Sequence, residues 1–213
     1  MYTVDIIIAD ESHFHFADEI CEVIEASAKV RGTGIAKRTP EYVKSKMQNR
    51  NAIIAISEGE FAGFCYIEVW GHEKYVAHSG LIVHPDFRHQ GLAKRIKEFT
   101  FQYSLKKYPT SKIFGITTGL AVMKINSDLG YKPVPFSELT DDPKFWTGCR
   151  TCPNYDILTS KEHKMCLCTG MLYDPLQKNI KKRKWYDKKV LKRLKNIKQT
   201  MLSNQKQLVL WKK

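Results

Sequence analysis

The sequence predicts a protein of the α/β class (α+β) in which helices pack on a mixed central sheet. Helical and strand-like patterns alternate along the 213 residues, and such alternation favours a layered domain of sheet and helices. Turn signals at Glu58-Gly59 and Gly71-His72 join the middle strands into a meander. No apolar stretch approaches the roughly 20 residues that a membrane-spanning helix needs. The acidic start does not resemble a signal peptide, so we expect a cytoplasmic protein.

The first half of the chain supplies two helices and the meander. Ser12, followed by Phe16 and Ile20 at helical spacing, predicts a capped helix after a first strand. Two glycines and a proline then interrupt the helical pattern. The next predicted elements are a helix over 41–48 and strands over 51–57, 61–70 and Tyr75–Val83.

The second half continues the alternation. The pattern predicts a helix over Leu92–Lys107, a strand over Lys112–Thr117 and a helix over 121–129 that Gly130 ends. Two closing strands are expected over 154–159 and 164–173.

The charge distribution divides the chain. The whole chain has 35 Lys and Arg against 22 Asp and Glu, a net charge of +13. Residues 178–213 hold 14 of the basic residues and one acid, so this segment accounts for all of the excess, and 1–177 is neutral. We therefore predict a domain over 1–177 and a basic, amphipathic helical tail over 178–213.

The turn after Tyr75–Val83 carries the strongest chemical signal. Gly91 and Ala93 leave space beside the backbone where a helix begins. Free N–H groups at a helix start, together with the positive end of the helix dipole, bind phosphate groups. Taken alone, such a turn can also serve only to change the chain direction.

The wider pattern is more specific than the turn. Val83-x-Pro85-x-x-Arg88-x-x-Gly91-x-Ala93 resembles the acyl-CoA motif of the GNAT superfamily of N-acyltransferases. The later Leu129-Gly130-Tyr131 is similar to the second signature of that superfamily. The order of elements over about 1–175 also resembles it, and the chain is similar in size to single-domain bacterial members. The resemblance implies a mostly antiparallel sheet that splays between its fourth and fifth strands.

The resemblance further implies acetyl-CoA, or a close acyl-CoA relative, as the cosubstrate. The backbone of Leu81 and Val83 would pair with the pantetheine arm, and an amide of this strand would stabilise the oxyanion. The pyrophosphate would bind to the backbone amides of Arg88, His89, Gln90, Gly91, Leu92 and Ala93.

The general acid of the family is missing from its usual position. Many relatives have a tyrosine four residues before the glycine of the second signature, where it protonates the departing thiolate. Here that position is Asn126, which cannot act as an acid. Either CoA leaves as a thiolate or another group acts, and Tyr131, Tyr173 and Tyr66 are the substitutes that the sequence offers.

Two residues are candidates for the general base. Glu68 lies late in a strand among apolar residues, where burial would raise its pKa toward a useful value. His78 lies on the next strand, near the expected position of the amine. The alternatives are a solvated Glu, a structural His and an ordered water as the base.

The segment 31–38 is the expected acceptor loop. Arg31, Lys37 and Arg38 would clamp a carboxylate, since guanidinium groups suit bidentate carboxylate binding. This composition predicts a small acidic amine such as glutamate as the acceptor. The alternative is a solvated loop whose cations contact nothing.

Four late cysteines form two close pairs. Cys149-x2-Cys152 lies in a turn-rich stretch, and Cys166-x-Cys168 falls on a predicted strand, where both side chains share a face. A hairpin would bring the pairs together as a structural zinc site with four thiolates. The alternatives are reduced, packed cysteines or a thiol nucleophile.

The basic tail leaves the partners and the target open. It would pack on the domain or on a second copy of the chain, or bind nucleic acid, an anionic surface or an acidic partner. Three functions follow: a small-molecule N-acetyltransferase, an acetyltransferase of a macromolecule docked by the tail, and a non-catalytic module that binds CoA or nucleic acid.

Overall fold

The fold is built on one sheet, which has seven strands within the described residues. The structure is a computed structural model and describes residues 3–31 and 36–179, without the side chains of residues 31, 178 and 179. The strands are β1 (Val4–Ile8), β2 (Ala52–Ser57), β3 (Glu60–Trp70), β4 (Tyr75–Val83), β5 (Lys112–Thr117), β6 (Lys132–Val134) and β7 (Thr169–Tyr173). Their order is β1-β2-β3-β4-β5-β7-β6, and all neighbours are antiparallel except β4 and β5.

Helices cover both faces of the sheet. They are α1 (Ala17–Arg31), α2 (Pro40–Gln48), α3 (Leu92–Lys107), α4 (Leu120–Asp128), α5 (Pro143–Thr147) and α6 (Tyr155–Ser160), with short 3-10 helices at Glu11–Phe16, Pro85–Phe87, Phe136–Glu138 and Pro175–Asn179. Successive residues of a strand point to opposite faces. Accordingly, Ile54 of β2 packs in the core under α1 and α2, whereas Ile53 packs with Ile96 of α3.

Strands β4 and β5 separate soon after they meet. Their parallel pairing covers only Tyr75–Ala77 on β4 and Lys112–Phe114 on β5. Farther along β4, the pairing with β3 shifts register around Gly80, which has a φ of +65°. A side chain at Gly80 would overlap the ring of Tyr66. The bulge bends β4 away from its neighbour, and a cleft opens between β4 and β5.

Most of the predicted elements are confirmed, and the closing region is corrected. Residues predicted as a strand at 154–159 form α6 instead, in which Leu158 is buried. The second closing strand begins at Thr169, because β5 ends at its partner Thr117 and offers no further backbone to pair with. The first helical segment is capped by Asp10, whose carboxylate accepts from the backbone N–H of Ser12 at 3.2 Å.

The chain divides into two units. The first unit spans Met1–Leu176 and the second spans Gln177–Lys213. The predicted basic tail lies outside the described residues, apart from the backbone of 178 and 179. Among the residues that the structure describes, none of the helices has the length and apolarity to cross a bilayer.

Candidate active site

The cleft between β4 and β5 continues into a cavity of about 540 Å³. Its wall includes residues from the segment before α2, from β3, β4 and β5, and from α4. Predicted site residues that line it are Lys37, Arg38, Glu68, His78, Leu81, Asn126, Cys149, Cys152, Cys166 and Cys168. Tertiary structure thus brings together the predicted acceptor, catalytic and cysteine residues.

The turn before α3 presents free backbone donors. Gly91 caps α3 with a φ of +75°, and His89 also has a positive φ of 63°. Within the described residues, the backbone N–H groups from His89 to Ala93 have no hydrogen-bond partner. A Cβ atom added to Gly91 would have no heavy atom within 4 Å, apart from its own chain neighbours. The turn therefore presents free N–H donors at the start of a helix, an arrangement that suits phosphate groups. The residues of this turn do not line the cavity. Leu81 of β4 and Lys97 of α3 do line it, and these are the two elements that the turn joins.

Arg88 holds the turn in place. Its backbone N–H donates to Pro85 O at 3.2 Å. Its side chain donates from Nε to Val83 O at 3.1 Å and from Nη2 to Ser27 Oγ at 3.0 Å. These bonds tie the turn to the end of β4 and to α1. Arg88 thus positions the neighbouring amides, and its own amide is already used.

Glu68 lies at the centre of a polar cluster on β3. Its Oε1 accepts from the hydroxyl of Tyr42 and from Lys46 Nζ, the latter at 3.1 Å. Its Oε2 has no hydrogen-bond donor in the described part of the chain. The side chain is 12% exposed and faces the cavity. One carboxylate oxygen is therefore fixed while the other stays available to a ligand or a water.

Arg38 lines the cavity beside Tyr42 and is hydrogen-bonded to Tyr66. Its Nε donates to Tyr66 Oη at 2.7 Å and its Nη1 to Lys37 O at 2.9 Å. The guanidinium carbon lies 5.5 Å from the Tyr42 ring centroid. Nη2 has no acceptor among the described residues. The group is thus oriented by the protein and keeps donors for a ligand. Arg31, the third predicted cation of this loop, lies where the structure describes no side chain.

His78 is buried in a hydrogen-bonded chain. Nε2 lies 2.8 Å from Ser104 Oγ, and Nδ1 lies 3.2 Å from Tyr131 Oη. Burial, and then the charge of Lys97, lower the pKa of His78 well below its usual value. The imidazole is therefore neutral, and both nitrogens are engaged.

Asn126 lies where the family tyrosine would be, and it is 1% exposed. Its Oδ1 is buried and has no hydrogen-bond partner in the described residues. None of the three tyrosines that were predicted as substitutes (Tyr66, Tyr131 and Tyr173) is among the described residues that line the cavity.

Lys97 is the site residue that sequence reasoning missed. It is 3% exposed and lines the cavity from α3. Burial lowers its pKa to about 8. The available signal was helical spacing, since Lys97 shares a buried face of α3 with Phe101 and Ser104.

The comparisons with known proteins agree with this geometry. Residues 22–114, which include β4 and the turn before α3, match the model of the acetyltransferase (GNAT) family. The chain contains a GNAT acetyltransferase domain. No curated protein sequence matches the chain.

The similarity to solved structures extends beyond residues 22–114. N-acetylglutamate synthase from Neisseria gonorrhoeae, solved with coenzyme A and N-acetyl-glutamate, aligns over 81% of this chain with 14% identity and a TM-score of 0.59. The chain spans only 35% of that enzyme's length. A Mycobacterium tuberculosis protein solved with CoA aligns over 80% of this chain and 98% of its own (15% identity, TM-score 0.58). YncA from Salmonella typhimurium, solved with acetyl-CoA, aligns over 81% and 94% (15% identity, TM-score 0.55).

The four late cysteines border the cavity of the GNAT domain without forming the predicted metal centre. Burial, followed by the charges of neighbouring thiols, raises the pKa of Cys149 to about 11 and that of Cys168 to about 12. In the described chain, no group of three or more His, Cys, Asp or Glu side chains is arranged to hold a metal ion. Cys166 and Cys168 precede β7, so the expected hairpin between the pairs is absent. The zinc prediction is therefore not supported.

Proposed function

We propose that this protein is an N-acyltransferase that moves an acetyl group from acetyl-CoA to a small acidic amine, of which glutamate is one example. The observation that carries the proposal is the splayed β4–β5 cleft, which leads from the free amides at 89–93 to the cavity containing Glu68 and Arg38. The acetyl-CoA part is also supported by the GNAT family match.

The CoA moiety would bind in two parts. Its pyrophosphate would accept hydrogen bonds from the amides from His89 to Ala93, at the positive end of the α3 dipole. Its pantetheine arm would lie along Leu81 and Val83 on β4, on the side that β5 leaves unpaired. A backbone amide of β4 would stabilise the oxyanion that forms at the thioester carbonyl.

The charges around the cavity support an acidic acceptor. Its charged lining residues are the cations Lys37, Arg38, Lys97 and Lys144 against the carboxylate of Glu68. Arg38 would hold the acceptor carboxylate through its free Nη2, because guanidinium–carboxylate hydrogen bonds are charge-assisted.

Transfer then requires one proton to leave the amine. The Oε2 atom of Glu68 would take that proton, directly or through a water, while Tyr42 and Lys46 hold Oε1. The acceptor attacks the thioester carbon as a neutral amine, its proton passes to Glu68 as the new N–C bond forms, and the carbon–sulfur bond breaks with its electron pair left on sulfur. Holding both reactants in one cleft supplies much of the rate enhancement.

Calorimetry with acetyl-CoA, followed by a thiol-release assay with an amine panel, tests the proposal. The panel should pair glutamate with glutamine and aspartate with asparagine, so that one carboxylate is the sole difference within each pair. We expect CoA binding and faster release with the acidic member of a pair. Absence of CoA binding would overturn the proposal.

The same assay separates the other functions. Binding without release for any small amine would favour a macromolecular acceptor or a binding module. If the acceptor is a macromolecule that the basic tail docks, a chain truncated after residue 177 would lose activity toward that macromolecule. Small-molecule transfer should survive the truncation.

A further inference from the structure

Lys97 is buried without a counter-charge. Its side chain is 3% exposed, and in the described residues it has neither an ion pair nor a hydrogen bond. Its Nζ lies 5.3 Å from the centroid of the Tyr131 ring. A buried ammonium that lacks a carboxylate partner is costly to the fold. Packing alone does not explain a lysine at this position.

The location of Lys97 offers an explanation. It lies six residues after Gly91 on α3, about 9 Å along the helix axis from the turn. It lines the cavity together with His78 of β4 and Asn126 of α4. The pantetheine route proposed above, from the turn along β4 into the cleft, would bring the CoA sulfur into this part of the cavity.

A proton delivered at that position would assist the departure of CoA. When the carbon–sulfur bond breaks, its electron pair remains on sulfur, and the thiolate needs a proton to leave as a thiol. The amide of Asn126 has no acidic proton to give, and the three candidate tyrosines do not line the cavity in the described structure. Lys97 lines the cavity and carries N–H protons that it can release.

We propose that the ammonium group of Lys97 is the general acid that protonates the departing CoA sulfur, an inference that rests on the proposed function. The step transfers one proton from Nζ to sulfur and leaves Lys97 neutral. Lys97 then recovers a proton from solvent, to which Glu68 releases the proton taken from the amine. The net change is one N–H exchanged for an N–C bond and one S–C bond exchanged for S–H.

The ionisation of the surroundings agrees with this role. Burial lowers the pKa of Lys97 to about 8, close to the ordinary thiol value of about 8.5. The titratable groups that face it are Cys65 from β3, His78 from β4 and Tyr131 after α4. Burial raises the pKa of Cys65 and of Tyr131 and lowers that of His78, so these three are neutral near pH 8. Among these four groups, Lys97 is the one whose charge changes near pH 8.

The experiment compares Lys97→Met and Lys97→Arg with the wild type and with Lys106→Met, an exposed control on α3. Single-turnover acetyl transfer is measured from pH 6 to 10, and CoA affinity is measured by calorimetry. We expect Lys97→Met to bind CoA within about threefold of wild type while transfer falls about 10²- to 10⁴-fold, the usual contribution of a general acid. The wild-type rate should fall above about pH 8.

The arginine variant separates catalysis from structure. Lys97→Arg should retain part of the transfer rate and move the high-pH limb upward, because guanidinium has a far higher pKa. A Lys97→Met rate within threefold of wild type, or an unchanged high-pH limb in Lys97→Arg, would overturn the role of Lys97 and leave the proposed function standing. A wild-type protein that binds CoA but transfers to no amine would overturn the proposed function, and this inference with it.

Discussion

The ammonium group of Lys97 lies over the ring of Tyr131, with 5.3 Å between Nζ and the ring centroid. The ring face offers a modest attraction for the cation, on the order of 1 kcal/mol. No carboxylate in the described chain pairs with it. This arrangement links the stability of the protein to the charge of one side chain.

We predict that Lys97→Met stabilises the protein at neutral pH. Burial lowers the pKa of Lys97 from 10.5 to about 8, a shift that corresponds to an unfolding free energy lower by on the order of 3 kcal/mol. The folded state loses this proton first, so the penalty is present below about pH 8 and is relieved as pH rises toward 10.5. Thermal melts should show the largest gain at pH 7 and a smaller one at pH 10, with Lys106→Met unchanged.

Glu68→Gln should lower turnover while leaving CoA affinity unchanged. The amide keeps the size of the side chain but cannot accept the amine proton, so we expect a 10²- to 10⁴-fold loss in transfer. Steady-state kinetics and calorimetry check the two effects. Glu60→Gln, an exposed position on the same strand, is the matched control. Equal rates for both variants would remove Glu68 from the mechanism.

Gly91→Ala should weaken CoA binding at least tenfold. Gly91 has a φ of +75°, where a side chain costs about 1–2 kcal/mol, and its methyl group would lie beside the free amides of the turn. Gly59→Ala is a close control, because Gly59 has a φ of +86° and equally open surroundings in the β2–β3 turn. Both variants should lose similar stability in melts. Similar CoA affinities in the two variants would argue against a pyrophosphate site at the turn.

Arg38→Gln should reduce kcat/KM for acidic amines more than for neutral ones. Removing a charged hydrogen-bond partner costs about 1.5–3 kcal/mol, so we expect a loss of roughly 10- to 100-fold with glutamate and little change with glutamine. Arg150→Gln, an exposed position in the segment between α5 and α6, provides the control. An equal loss with both amines would indicate that Arg38 supports the cavity through Tyr66 and does not read the carboxylate.

Much of the fold was predictable because its signals are local. The strand Tyr75–Val83, the turn at 88–93 and the helix Leu92–Lys107 all follow from periodicity and from one glycine, and the structure has the same bounds for both elements. The closing region was predicted wrongly because Tyr155, Ile157 and Thr159 fit a strand pattern as well as a helical one. Burial of Leu158 among Phe145 and Trp146 is a long-range effect that the local pattern does not contain.

The sequence by itself determined the glycine-bearing turn at the start of α3 and the family resemblance, since both depend on residues adjacent in the chain. Tertiary structure decided which side chains share the cavity. In the sequence Lys97 resembles the other lysines of α3, and only the tertiary structure places it, buried, on the wall of the same cavity as Asn126. The physical reason is that the ionisation of a side chain depends on what surrounds it in space, and those groups come from β3, β4 and the end of α4.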